Sequence, residues 1–456
     1  MNIPAYRRGF APYALGALVI GLVGGFSTLL GPAFVGELGI GYENTTWTAL
    51  AQAIPTAACA PILGRLGDRL GRGRTLKLGL AAFTLGNVLT ALAHSLAFLL
   101  GARFLVGLGT AAMAPVILGY ILAEYPRDRV GRGFAEYMLL SSGAVVVGPT
   151  LGGAILAGPG WRAMSWVCAG LSAGAWGMGA LLLRRDRAVL KKSAPFDGAG
   201  AVWVILFFSL ALCLPALGQC VGTGAFLLAL AGCVLSGVCL YFTEKGRENP
   251  ILSGEILKKR AFILSVTALF LTQGLLQANM TSAQVFLRYA HPERTLSAGV
   301  TVSVLYLGMA LGAAVLGPMG DRHSPRRVLG VCLALAALSC GGLLGVGPAS
   351  GQGALMLPLG LLGLGLGGGA TLLMKVALAG LEPGQANAAS GTFGLFRDLA
   401  APFGVAVLVP LFNGRVDAGL AQGLPDALAA TQALHTLARV ELISLAAAGV
   451  AVWGMK

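Results

Sequence analysis

An all-α integral membrane fold is predicted for this chain by three observations: its composition, the recurrence of long apolar runs and the placement of its charges. Of 456 residues, 56% are hydrophobic and 11% charged, and the mean hydropathy is +0.80. That balance lies far outside the range of soluble domains. Apolar runs of about 20 residues recur from end to end, each long enough to cross the roughly 30 Å hydrocarbon core as a helix. A helix satisfies its own backbone polar groups in lipid. Most of the 32 Lys and Arg fall on one side of the alternating spans, which marks that side as cytoplasmic. The net charge of +14 is therefore spread over many short segments, and nucleic acid is not an expected partner.

The first span, 11 to 34, follows Arg7 and Arg8 and lacks a convincing cleavage site, so it is read as retained and not as a removed signal. Spans follow at 45 to 63, 76 to 95, 97 to 122, 134 to 157 and 162 to 183, completing a first group of six. A pair occupies 199 to 219 and 222 to 243. A second group runs 261 to 285, 297 to 317, 328 to 348, 353 to 379, 386 to 412 and 436 to 454, giving fourteen spans with both termini cytoplasmic. Pro425 and Asp426 mark a helix start ahead of the last span, which places Arg439 and Glu441 near the membrane interface. The 69 glycines suit close approach of helix backbones in a bundle. Eight cysteines lie inside apolar spans without metal-ligand spacing and read as small buried residues.

An internal repeat organises these spans. GRLGDRLGRGR beginning at Gly64 is echoed by GPMGDRHSPRR beginning at Gly317, an offset of 253; Gly148-Pro149 is echoed by Ala401-Pro402 at the same offset. Arg8-Gly9-Phe10 is echoed by Arg260-Ala261-Phe262 at 252. The division that follows is a six-helix bundle over 1–184, an inserted two-helix segment with cytoplasmic linkers over 185–259, and a second six-helix bundle over 260–456. Repeated halves about a central site are the architecture of alternating-access transporters.

Several segments carry chemistry. After span two, Gly64, Asp68, Arg69, Gly71 and Arg72 form a glycine-rich turn in which Asp68 among arginines is able to make ion pairs or cap a helix; Gly317, Asp321 and Arg322 repeat it. Such contacts suit a latch that forms in one state and breaks in another. Arg103 lies inside span four, where a charge costs roughly 2.5–3.5 kcal/mol on insertion scales and needs a partner or water. Span five contains Gly148-Pro149-Thr150-Leu151-Gly152-Gly153, whose proline bends a helix and whose glycines let another close against it. Asp398, half-way through span thirteen beside Arg397, is the candidate proton carrier. The two adjacent side chains point some 100° apart, so each is expected to find a partner on another helix, Arg103 among the candidates. Ser27, Thr28, Gln52, Thr56, Gln273, Gln277 and Asn279 are candidate cavity residues or interhelical glue, and Lys375 is placed to snorkel at the end of span twelve. Gly363, Gly365 and Gly368 spell GxGxxG inside an apolar span, without the strand-turn-helix context that would make it a nucleotide fingerprint, and read as helix packing.

Together these residues resemble the major facilitator superfamily, and within it the fourteen-span drug:H+ antiporter branch. The Gly64–Arg74 segment is similar to the superfamily's signature loop, Arg103-Phe104-Leu105-Val106-Gly107-Leu108-Gly109 to its intramembrane arginine motif, and the span-five segment to the GPxxGG motif of its exporters. Trp47, Trp161-Arg162, Phe196-Asp197 with Gly200, Glu244 with Asn249-Pro250, and Arg397 with Leu399 and Gly404-Val405-Ala406 extend the match over nearly the whole chain. The resemblance implies a major-facilitator fold of two pseudo-symmetric bundles plus two inserted helices, and proton coupling at Arg103, Arg397 and Asp398. It further implies export of small amphipathic molecules, with an endogenous metabolite or a lipid-like molecule as the alternative cargo. No enzyme activity, metal or cofactor beyond the coupling ion H+ is expected. A monomer in a bacterial inner membrane is. One departure concerns cargo: many members of the branch have an aspartate near the position of Val23, and this chain has no Asp or Glu between residues 1 and 36.

Overall fold

The computed structural model describes residues 5–41, 43–126, 130–183, 198–220, 222–245, 258–290, 295–348, 350–379 and 386–455. Phe196, Asp197, Asn249 and Pro250 lie outside these residues, and inside the helices so do the side chains of Thr28, Asp68, Arg69, Glu244, Asp321, Asp398 and Pro402. Among the described residues there are fourteen α-helices and no strand. The first six are α1 (Ala5–Leu38), α2 (Glu43–Leu70), α3 (Arg72–Ala91), α4 (Leu96–Glu124), α5 (Val130–Ala157) and α6 (Trp161–Leu182). A pair follows, α7 (Gly198–Cys220) and α8 (Thr223–Glu244). The last six are α9 (Arg260–Ala290), α10 (Thr295–Arg322), α11 (Pro325–Leu344), α12 (Gly353–Leu378), α13 (Ala386–Ala421) and α14 (Asp426–Gly454).

Among the described residues, eleven of these helices are long and apolar enough to cross a membrane, against the fourteen spans expected. The shortfall is at α2, α3 and α7. The first two carry polar and basic residues along their length, among them Gln52, Thr56, Arg74 and Lys77; in α7 the described apolar stretch is Gly200–Leu214, and the side chains of 215, 216 and 218–220 lie outside the described residues.

The chain divides by its contacts into Met1–Cys213 with Leu228–Leu240, and Leu214–Leu227 with Tyr241–Lys456. Each unit repeats one packing scheme. In the first, α1 packs on α5 and α6, α2 on α4, and α3 on α4 and α6; in the second, α9 packs on α13 and α14, α10 on α12, and α11 on α12 and α14. The cores are apolar. Tyr13, Phe34, Leu80, Phe83 and Trp161 are sealed in the first, and Phe262, Leu372, Leu373 and Phe393 in the second.

The sequence places the segment from Gly64 in a loop, and the structure corrects this. Helix α2 continues through Leu70, and the chain turns at Gly71 alone, whose φ of 96° only glycine adopts readily. Gly71 then starts α3, where its carbonyl accepts from the Thr75 hydroxyl at 3.1 Å. The repeat of the motif is helical as well, since α10 runs through Arg322 with Pro318 inside it. A packing demand explains the helix. A Cβ on Gly64 would come within 3.1 Å of Pro115 and one on Gly67 within 2.9 Å of Val116, both on α4. In the second unit Gly317 meets Thr371 at 3.1 Å and Gly320 meets Leu372 at 2.1 Å, both on α12. The glycines of the motif thus seat one helix on the next.

Candidate functional site

In the first unit the buried arginine is built into an aromatic stack. Arg103 is 4% exposed on α4, and its guanidinium lies 5.6 Å from the centre of the Phe34 ring of α1. Phe34 meets Trp161 edge to face at 4.9 Å, and the Arg162 guanidinium covers Trp161 at 4.4 Å. Arg162 pairs with Glu37 at the end of α1 and donates to the Ala93 carbonyl at 3.2 Å. Alternating cations and rings therefore join α1, α4 and α6, each guanidinium facing the negative face of a ring. Arg103 Nε is buried with no hydrogen-bond partner among the described residues.

The exporter-type motif of α5 is seated on α1. A Cβ on Gly148 would lie 2.9 Å from the Gly25 Cα, and one on Gly152 would lie 2.8 Å from Leu29. Pro149 is carried inside the continuous helix α5. The second unit makes a comparable close approach about one turn from the position an offset of 253 gives, with Gly404 of α13 against Gly274 of α9, where an added Cβ would stand 2.1 Å from the Gly274 Cα. Of the expected cavity residues in the first unit, Thr56 donates to the Gln52 carbonyl at 2.8 Å and lies 3.3 Å from the Gly107 carbonyl, tying α2 to α4. Ser27 Oγ and Gln52 Oε1 are buried without a partner among the described residues. Val23, standing where an acid was sought, is packed in the apolar core.

In the second unit α9 carries polar residues on two opposite faces. Gln273, Gln277, Thr281 and Gln284 recur at steps of three or four and form one stripe. The Gln284 amide is buried with neither Oε1 nor Nε2 partnered among the described residues. Asn279 sits two residues from both Gln277 and Thr281 and points the other way: it is 1% exposed and donates to Glu441 of α14. Sequence reasoning grouped it with Gln273 and Gln277, and the structure separates it from them.

Glu441 itself is a correction. It is fully buried, midway along a 29-residue helix that starts at Asp426. Drawing the last span from residue 436 put Glu441 near its beginning. The helix does start at the Pro425–Asp426 signal, and its first part is packed, with Ala429, Ala430, Ala433 and Leu434 buried where a water-exposed stretch is expected. Lys375, expected to snorkel, donates to the Gly317 carbonyl at 3.3 Å and so ties α12 to the repeated motif of α10. Arg397 is exposed on α13.

Residues 13–405 match the profile of the Major Facilitator Superfamily. The chain is 29% identical over 430 residues to the probable actinorhodin transporter of Streptomyces coelicolor, covering 90% of this chain and 74% of that one. It is 25% identical over 412 residues to the tetracenomycin C resistance and export protein of Streptomyces glaucescens, covering 88% and 75%. Among solved structures it resembles the POT family transporter PepTSo with a TM-score of 0.70 at 16% identity, over 99% of this chain and 98% of that one.

Proposed function

The chain belongs to the Major Facilitator Superfamily and is a multi-pass membrane transporter, and from that premise we propose that it exports small amphipathic, drug-like molecules from the cytoplasm by proton antiport with alternating access. The observation that carries the direction is the Gly148–Gly153 motif of α5, seated backbone against backbone on Gly25 of α1, in a chain whose relatives include an export protein. A helix pair whose backbones meet at a glycine contact can rock about that point, which suits opening and closing of a path. Asp398 exchanges the proton, Arg397 and Arg103 tune that exchange, and the Asp68 and Asp321 segments latch the cytoplasmic side. Gln273 and Gln277 offer an adaptable hydrogen-bonding surface to an amphipathic cargo. Both termini are cytoplasmic, the membrane is the bacterial inner membrane, and the working unit is a monomer with H+ as the coupling ion.

The test is made in everted membrane vesicles holding an imposed pH gradient, with actinorhodin and tetracenomycin C as probes. Addition of a transported probe should collapse part of the gradient, and Asp398→Asn should abolish the response at unchanged protein level. A response of full size in Asp398→Asn removes the aspartate from the coupling path. Uptake of either probe that is identical with and without a gradient removes proton antiport.

A further inference from the structure

The carboxyl group of Glu441 is used by nothing described so far, and its surroundings are specific. The residue is 0% exposed, inside the second unit. Asn279 Nδ2 of α9 donates to Oε1, and the Cys340 thiol of α11 donates to Oε2 across 3.6 Å. Asn279 gives its other amide proton to the Leu275 carbonyl at 3.0 Å, which fixes the amide so that nitrogen and not oxygen faces the carboxyl.

Helices α9, α11 and α13 pack against α14. From α9 the polar group at Glu441 is Asn279, and from α11 it is the titratable thiol of Cys340. On α14, His435 is engaged with the Val346 carbonyl at 2.9 Å and Arg439 is exposed. On α13, Arg397, Arg415 and Asp417 are exposed, and the Asp398 side chain lies outside the described residues. Of the remaining cations of these helices, Arg260, Arg326 and Arg327 are exposed, and the Arg288 side chain on α9 lies outside the described residues. No cation pairs with Glu441 among the described residues. Two neutral donors hold a carboxyl in an apolar bundle, where an unpaired charge is strongly disfavoured. An amide at position 441 would meet the demands of helix packing without that cost. Ionisable groups kept at such places mark proton paths.

We propose that Glu441, with Asn279 and Cys340, forms a proton-binding site in the C-terminal unit whose occupancy changes during transport. The proton comes from water and returns to water, and the carboxylate becomes a carboxylic acid and back. On binding at Oε2 the new O–H donates to the Cys340 sulfur, the thiol proton turns away, and Asn279 keeps its bond to Oε1. One hydrogen bond reverses and no heavy atom has to move. Proton binding stands on the cluster alone; its link to transport rests on the antiport reading above.

Infrared difference spectra of the reconstituted full-length protein, taken between acidic and alkaline buffer, follow the carbonyl stretch of protonated carboxylic acids. A band that titrates with pH in the wild type should be lost in Glu441→Gln. In Cys340→Ala, which keeps the carboxyl and deletes one donor, that band should persist with a shifted frequency and midpoint. Spectra that are the same in wild type and Glu441→Gln overturn the proposal, and an unshifted band in Cys340→Ala removes the thiol from the site. In the vesicle assay with tetracenomycin C, Glu441→Gln should lower the substrate-driven proton signal at least several-fold and Glu441→Asp should restore part of it; a full signal in Glu441→Gln overturns the link to transport. A wild-type protein that gives the titrating band but no proton signal fails the antiport reading and leaves Glu441 established as the binding group.

Discussion

Arg103 and Glu441 are two buried charged residues with opposite solutions to the same cost. Arg103 spreads its charge over the face of Phe34, which itself rests on Trp161, while Glu441 takes two neutral donors. A desolvated cation–ring contact contributes about 2 kcal/mol, and a lysine, whose charge is compact and strongly hydrated, does not replace a planar guanidinium over a ring. A double-mutant cycle of Arg103→Leu and Phe34→Leu, read as thermal unfolding of the purified transporter, is therefore expected to show a coupling of about 1–2 kcal/mol. Additive losses would remove the ring from the support of Arg103. The presence of Arg103 at depth was legible in the sequence because a lone cation inside an apolar run stands out. Its partners were not, because Phe34 and Trp161 lie on other helices and look like any other core aromatics. Glu441 was visible and misplaced, since hydropathy alone draws a span by its apolar part and this helix is buried well before that part begins.

The glycines show the same limit at the level of helices. Helices α10 and α12 touch through their backbones: a Cβ on Gly312 would stand 2.0 Å from the Leu364 carbonyl oxygen, one on Gly363 2.0 Å from that of Leu305, and one on Gly367 2.2 Å from that of Met309. Backbone atoms cannot swing aside, so Gly312→Ala and Gly363→Ala should each force the helices apart and cost stability of about 1–3 kcal/mol or more. On α11 an added Cβ at Gly330 or Gly341 meets nothing within 4 Å. There the same substitution gains helix propensity of up to about 1 kcal/mol and should leave unfolding temperature unchanged or raised. Melting curves of the four variants check the contrast, and equal losses at all four would mean that the close approach does not carry the packing. Sequence reading established that glycines pack these helices, and it gave the GxGxxG triplet that meaning correctly. Which glycines carry a contact depends on how one helix is turned against another, and a single helix in isolation does not record that.

At the scale of the whole molecule the repeat read from three sequence markers is repeated in packing: α1 packs on α5 with Gly25 at Gly148, α9 packs on α13 with Gly274 at Gly404 about one turn away from the equivalent positions, and the two GD motifs are seated on α4 and α12. This equivalence bears on the number of membrane crossings. Helices α10 and α11 are apolar enough to cross unaided, and α2 and α3 are not. Yet α2 and α3 occupy the matching places in their own unit, packed on α4 and α6 as α10 and α11 are on α12 and α14. Polar residues along a span are tolerated where neighbouring helices satisfy them, as Thr56 is satisfied across α2 and α4. A crossing by α2 and α3 together leaves the sidedness of everything after them unchanged, whereas α7 alone reverses it. With α7 crossing, the count of fourteen puts both termini on one side; without it the termini fall on opposite sides. Reporter fusions active on only one side of the membrane, placed at each terminus in turn, should both report the cytoplasm. Termini on opposite sides would place α7 outside the set of crossings and undo the fourteen-span topology, while the two six-helix units would stand as described.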